Sequence, residues 1–407
     1  MKNKNTVKYW VGKLHLWLGF TAGLVVFVIA VTGCIYAFQA EIQDLTQPYR
    51  FVQQQDRALL PPSALKAIAV KELPQKKVHA VLYAGPGKAA QVIFFSFKPE
   101  EYYPDEYYYE VYLNPYTGEV LKVKDMDADF FHLILDGHFY LWLPPIIGQP
   151  VTAIATLVFV VMMITGLILW WPRNKSGVKQ RFTIKWNARW RRKNYDLHNV
   201  LGFYTTWIAI ILALTGLVWG FQWFANGVYS IAGGKKSLLY TDPASDTTAA
   251  LVNNSKPAID NVWDLMRREH PTATVMEVHD PETAASSIAA SANPDGETYW
   301  QTDYRYFDQY TGKELSVDHI YSRYDQATAS DKLIRMNYDI HTGAILGLPG
   351  KILAFLASFI CASLPITGVY IWWGRRNKKE ISLKKKSVSR LSRPRDKAPV
   401  TRIPLAP

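Results

Sequence analysis

Four stretches of the chain contain no Asp, Glu, Lys or Arg and are almost continuously apolar: Leu16–Phe38, Ile146–Trp171, Val200–Phe224 and Ile352–Trp373. Each reaches the roughly 20 residues that a helix needs to cross a bilayer core of about 30 Å. Between them the pattern changes. Residues 39–137 and 225–340 mix short apolar runs with charged positions, Gly and Pro, and predict two small α+β domains. In the first, "PPSALKAIAVKEL" predicts a helix with Pro near its start, and "VHAVLYA", "AAQVIFFSF" and "YYYEVYLNP" predict strands. In the second, "AIDNVWDLMRREHP" predicts a helix, followed by strands at "TVMEVHD", "SSIAASA" and "YRYFDQY". Each segment closes in a Tyr-Thr-Gly turn, at Leu113–Leu121 and Phe307–Leu315, where Gly supplies the positive φ of a tight turn. The predicted fold is a membrane α-helical protein. Its helices cover 8–38, 138–171, 198–224 and 341–373, joined by a linker at 172–197 and followed by a tail at 374–407.

Charge orients this arrangement. Residues 1–14, the linker and the tail together hold 25 Lys or Arg and 3 Asp or Glu. The remaining 21 basic and 31 acidic residues fall almost entirely in the two long segments. Short basic segments stay in the cytoplasm, so both termini and the linker are expected inside a bacterial inner membrane, with the long segments in the periplasm. The net charge of +12 thereby reflects topology and argues against nucleic acid as a partner; the lipid bilayer is the expected one. Cys34 and Cys361 both fall in apolar runs, which implies no disulfide framework, and no CxxCH for covalent haem attachment occurs.

The apolar runs repeat. "LHLWLGF" opens the first and "LHNVLGF" the third; "DGH" precedes the second and "DIH" the fourth. Thr-Gly recurs in all four, at Thr32-Gly33, Thr165-Gly166, Thr215-Gly216 and Thr367-Gly368, and Trp pairs end the second and fourth. The chain reads as one helix–outer domain–helix unit written twice, with the Trp pairs in an interfacial aromatic belt. The Thr-Gly before Cys34 formally resembles a lipoprotein cleavage site, but its recurrence in three other helices speaks for coincidence.

Four histidines occupy repeat-related helix ends. His15 and His198 begin outward-running helices and are expected near the cytoplasmic face; His138 and His341 precede inward-running helices and are expected near the outer face. Pseudo-twofold symmetry pairs them by depth, and two opposed imidazoles are what six-coordinate b-type haem iron requires. Two b-type haems are the expected cofactors, with His15, His198, His138 and His341 as axial iron ligands. Gly19 and Gly202, one turn after His15 and His198, would leave room for a porphyrin. Lys13, Arg191, Arg192 and Lys193 inside, and Arg335 and Lys351 outside, are candidate propionate partners. Zinc fits less well, since each level offers two His where zinc takes three or four ligands. The Asp two residues before His138, His198 and His341 suits a helix N-cap. His132 is a reserve ligand or gate residue in helix two.

The LHxxLGF openings, the TG-x-x-x-W closings and the YTG-ending outer domains resemble the PepSY-associated transmembrane family over about 8–376. The resemblance implies periplasmic PepSY-like domains at 39–137 and 225–340. It also implies similarity to dihaem inner-membrane ferric-siderophore reductases, with the same four His at haem-ligand positions. An oxidoreductase of this kind would pass electrons outward to a periplasmic ferric siderophore and release Fe(II). The linker is too short for a nicotinamide or flavin domain and no GxGxxG occurs, so electrons are expected from a membrane quinol or a separate donor. "EEYYPDEYYYEVY" at Glu100–Tyr112 suits an aromatic β-hairpin better than an iron dock. The competing expectation is a regulatory protein whose PepSY domains bind a peptidase or peptide without redox activity.

Overall fold

The computed structural model describes residues 7–96, 106–172, 178–249 and 256–391. Among these residues four helices are long and apolar enough to cross a membrane. The first, α1 (Val7–Tyr36), is followed by α2 (Gln39–Thr46), α3 (Pro62–Glu72) and strands β1 (Val78–Tyr83), β2 (Ala90–Ser96), β3 (Tyr107–Leu113) and β4 (Val120–Asp125). Then come α4 (Phe130–Tyr140), the second span α5 (Pro145–Trp170), and α6 (Lys179–Phe182). The third span runs from α7 (Trp190–Asp196) through a π-helical turn, Leu197–Leu201, into α8 (Gly202–Gly220). It leads to α9 (Gln222–Ile231), α10 (Ala258–Glu269), β5 (Val275–His279), β6 (Ile288–Asn293), β7 (Asp303–Phe307) and β8 (Glu314–Leu315). Short helices α11 (Ala329–Arg335) and α12 (Asn337–Thr342) precede α13 (Gly347–Leu391), whose apolar part is the fourth span. Leu24, Ile154, Ile211 and Phe359 stay exposed on the outside of the bundle. So large an apolar surface suits lipid rather than water.

The two outer segments are not separate domains. Their strands form one antiparallel sheet in the order β4-β3-β2-β1-β5-β6-β7-β8, joined where β1 pairs with β5 from Ala80–His279 to Tyr83–Met276. Alternation explains the joint: Val81, Val92, Phe94, Val111, Val278 and Ile288 point to one buried face, which α3 and α10 cover together. Tyr83 stacks on Trp263 across the seam, and Asp260 of α10 accepts from the N–H and hydroxyl of Ser63 at the start of α3. The tip of the predicted "EEYYPDEYYYEVY" hairpin, residues 100–105, lies outside the described residues; β3 carries the rest.

The second predicted helix, 138–171, is in fact two. His138 sits on α4, and the chain turns through Leu141 and Trp142, both at positive φ (56° and 57°), before α5 starts behind Pro144-Pro145. Proline cannot continue a helix from its N-terminal side, and the turn is held by the Trp142 indole N–H donating to the Leu133 carbonyl at 2.8 Å. Gly137 makes room for it: a Cβ there would lie 2.3 Å from the Trp142 ring. His341 likewise lies on the separate α12, ended by Gly343 at φ 81°.

The Trp pairs do two jobs. Trp171 and Trp373 are exposed as belt residues should be. Trp170 instead stacks on Phe203 at 3.8 Å, and Trp372 meets Phe20 edge-on at 5.1 Å. Phe20 therefore packs against α13 and Phe203 against α5.

Candidate functional site

The four histidines share one local arrangement. His15 Nδ1 lies 2.9 Å from Thr165 Oγ1, His138 Nδ1 3.1 Å from Thr32 Oγ1, His198 Nδ1 2.9 Å from Thr367 Oγ1 and His341 Nδ1 2.9 Å from Thr215 Oγ1. Each Thr belongs to a Thr-Gly pair. Every one of these hydroxyls already donates to a carbonyl one turn back in its own helix, that of Met162, Val28, Ser363 or Ile211. Its oxygen is therefore left to accept, so the imidazole donates from Nδ1–H and keeps the lone pair on Nε2. Metal-ligating histidines are oriented in this way by the hydrogen bond of their other nitrogen.

The glycines complete the arrangement. A Cβ at Gly33 would stand 3.2 Å from His138 Cε1; at Gly216, 3.4 Å from His341; at Gly166 and Gly368, 3.5 Å from His15 and His198. Thr holds each ring by one edge while Gly lets it lie close against the neighbouring helix.

His138 and His341 meet, with ring centroids 6.1 Å apart. Both rings line a partly open cavity between α1, α4, α5, α8, α12 and α13. Its walls are unusually small-residued at Ala30, Gly33, Ala153, Ala213, Gly216 and Gly220, with Phe139 and Trp219 among the larger groups. A flat apolar macrocycle ligated from two sides suits this donor set and these walls. His15 and His198 are fixed by their Thr partners in the same way but make no ring contact with each other. Among the described residues no three His, Cys, Asp or Glu gather to hold a metal ion.

Several expectations change. Gly19 and Gly202 face neighbouring helices, with Met162 Cε 3.3 Å and Leu364 Cδ2 3.7 Å from their would-be Cβ atoms; they allow helix packing rather than open a slot beside the ring. His132 points elsewhere, 3.8 Å from Asp136 and beside the Tyr108 ring, so His138 is the residue of α4 that meets His341. Six residues apart on a helix, the two occupy different faces. The Asp residues are not N-caps. Asp129 caps α4 and Asp136 lies inside it. Asp196 accepts from Arg192 Nε at 2.9 Å. Asp339, fully buried, accepts from the N–H groups of Tyr299 and Trp300 at 3.0–3.1 Å. Of the outer propionate candidates, Arg335 is buried and donates to the carbonyls of Thr302, Ile320 and Ser322, while Lys351 pairs with Glu41 at 2.7 Å.

The structure also brings out residues that the repeat search passed over. Asn194 Nδ2 donates to the Thr367 carbonyl at 3.0 Å, and Asn337 Nδ2 to the Thr215 carbonyl at 3.1 Å. Each Asn lies four residues before its His and binds the same Thr that holds that His. The signal was present as "NYDLH" at 194–198 and "NYDIH" at 337–341. The π-helical turn at Leu197–Leu201 carries His198, a backbone form frequent at functional sites.

Comparison with known families finds one model, described as the PepSY-associated TM region, that matches residues 13–375. No curated protein matches the chain.

Proposed function

The chain belongs to the PepSY-associated TM family, and from that premise we propose that it is a dihaem electron carrier of the inner membrane that reduces ferric siderophores on the side of the sheet. The reading is carried by one observation above all: four histidines, each hydrogen-bonded through Nδ1 to the Thr of a Thr-Gly pair. On this reading the chain is a duplicated unit, its termini and linker lie in the cytoplasm, and the sheet lies in the periplasm. The 25 basic and 3 acidic residues of the short segments support that orientation.

His138 and His341 would hold the outer haem, and His15 and His198 the inner one. Haem bound there supplies one-electron redox chemistry. The protein's own part is to fix ligand orientation through Thr32, Thr165, Thr215 and Thr367, to keep the rings close through the paired glycines, and to exclude water with apolar walls. A membrane quinol or a separate donor protein gives the electrons. A quinol that yields two electrons and two protons serves two ferric ions in turn. Each ferric chelate accepts one electron, and the resulting Fe(II) is held more weakly by hard oxygen donors and leaves. The long segments, net −11 from 20 basic and 31 acidic residues, favour neutral or cationic chelates, subject to screening by salt.

The test is reoxidation. Haem-loaded protein, reduced chemically and freed of reductant, should be reoxidised by a ferric siderophore while a ferrous chelator traps Fe(II). Purified protein without haem would remove the redox reading and leave a PepSY regulatory role. Haems that stay reduced with ferric siderophores but are emptied by another periplasmic oxidant would keep the carrier and remove iron as its substrate.

A further inference from the structure

A second cleft lies against the His138–His341 cavity, and the two share Trp219 and Tyr338 as a common wall. The rings form an unbroken series across it. His341 and Trp219 have centroids 5.3 Å apart, Trp219 and Tyr338 6.2 Å, and Tyr338 and Tyr299 5.2 Å. Tyr299, the last of the series, is 58% exposed. We propose that Trp219, Tyr338 and Tyr299 form the electron exit from the outer histidine pair, and that the second cleft is where the ferric chelate docks. This inference rests on the electron-carrier reading and adds to it a place and a path.

Rigid anchoring supports the path. Three consecutive residues of α12 divide the work: Asn337 donates down to the Thr215 carbonyl on α8, Tyr338 bridges, and Asp339 accepts up from the Tyr299 and Trp300 N–H groups. Asn337 and Asp339 are both buried, and buried polar groups with all their partners in place fix geometry. The loop that carries Tyr299 is thereby pinned to the helix that carries His341. Transfer between rings falls off steeply with the gap between them, so a pinned series matters. The path needs no oxidised Tyr or Trp as a resting state; the rings shorten the gap across which one electron passes from the reduced haem to Fe(III).

The cleft has the chemistry for an oxygen-rich chelate. Tyr299, Tyr304 and Tyr321 line it beside Arg335. Burial raises the phenol pKa of Tyr304 and Tyr321, and all three tyrosines offer hydroxyls able to donate to chelate oxygens. The Arg335 guanidinium, already held by three carbonyls, contributes charge beneath them. Glu277, outside the cleft lining, adds a negative field that reaches Tyr299 and Tyr304. A chelate without net negative charge suits this mixture.

Two measurements on the full-length, haem-loaded protein test the inference, with iron(III) tris(acetohydroxamate) as oxidant and its gallium(III) analogue as a redox-inert ligand. Stopped-flow reoxidation should slow by about tenfold or more in Tyr338→Leu and Tyr299→Leu, while Tyr338→Phe, which keeps the ring, stays within about twofold of the wild type. The gallium complex should quench aromatic fluorescence on binding, and Tyr299→Leu and Tyr304→Leu should each weaken that binding by about tenfold. Unchanged reoxidation and unchanged gallium binding in Tyr299→Leu, a surface substitution that leaves its backbone anchor in place, would overturn the inference. Wild-type protein that ferric chelates fail to reoxidise would instead overturn the function reading itself.

Discussion

The Thr215 hydroxyl lies 2.9 Å from His341 Nδ1 and donates its own proton 2.8 Å back to the Ile211 carbonyl. One side chain thus fixes the tautomer of a histidine on another helix, and Thr32, Thr165 and Thr367 do the same for His138, His15 and His198. Thr215→Val keeps the shape and removes the acceptor. It should weaken haem retention at the outer site by about 10- to 100-fold, whereas Thr215→Ser should restore it. Haem-to-protein ratio after extensive dilution is the measurement. Equal retention in the Val variant would show that the hydrogen bond is incidental.

The glycines make a graded prediction. Gly33→Ala places a methyl 3.2 Å from Cε1 of the His138 ring, which the Thr32 hydroxyl holds in place, while Gly202→Ala meets only the Leu364 side chain at 3.7 Å. Overpacking of the first kind costs about 1–3 kcal/mol. The second removes a helix-interior glycine and should be neutral or stabilising by up to about 1 kcal/mol. Thermal unfolding, read together with the outer-site haem spectrum, checks the order. Gly33→Ala should change both and Gly202→Ala neither adversely.

At the edge of the sheet, Glu314 is gripped by Arg323 and Arg305, with bonds of 2.5–3.1 Å. Burial opposes ionisation, but these hydrogen bonds and charges outweigh it and hold the carboxyl at about 2. A depressed folded-state value means stability that is fully present above the ordinary carboxylate range and is lost as pH falls from about 4.5 towards 2. Allowing for the partial exposure of the group, the amount is on the order of 1–2 kcal/mol. Unfolding of the wild type followed between pH 6 and pH 2.5 should show this loss, and Glu314→Gln should flatten that part of the curve. An unchanged slope in the variant would assign the acid sensitivity to other groups.

Much of this molecule was legible because membranes impose simple rules. Uninterrupted apolar runs gave the four spans, and β-rich segments broken by Gly and Pro gave six of the eight strands among the described residues. The union of the two half-sheets was not legible, because Ala80–Tyr83 and Met276–His279 carry the same alternation whether they pair with each other or end at an edge. The break before α5 was missed because the apolar pattern continues through Leu141 and Trp142, and only backbone geometry shows their positive φ. Of the site, the four His and the recurrence of Thr-Gly stood out. Their joint meaning did not, since His15 and Thr165 lie 150 residues apart and a repeat search aligns like with like rather than ligand with partner.

On the proposed reading the histidines work as two pairs, His138 with His341 and His15 with His198, each holding one haem. The most direct measurement is haem content by pyridine haemochrome, with the absorption spectrum, for the wild type and the four single His→Ala variants. Two haems per chain are expected in the wild type. His138→Ala and His341→Ala should lose the same one, and His15→Ala and His198→Ala the other. No haem in the wild type, or different haems lost by the two members of one pair, would contradict the account.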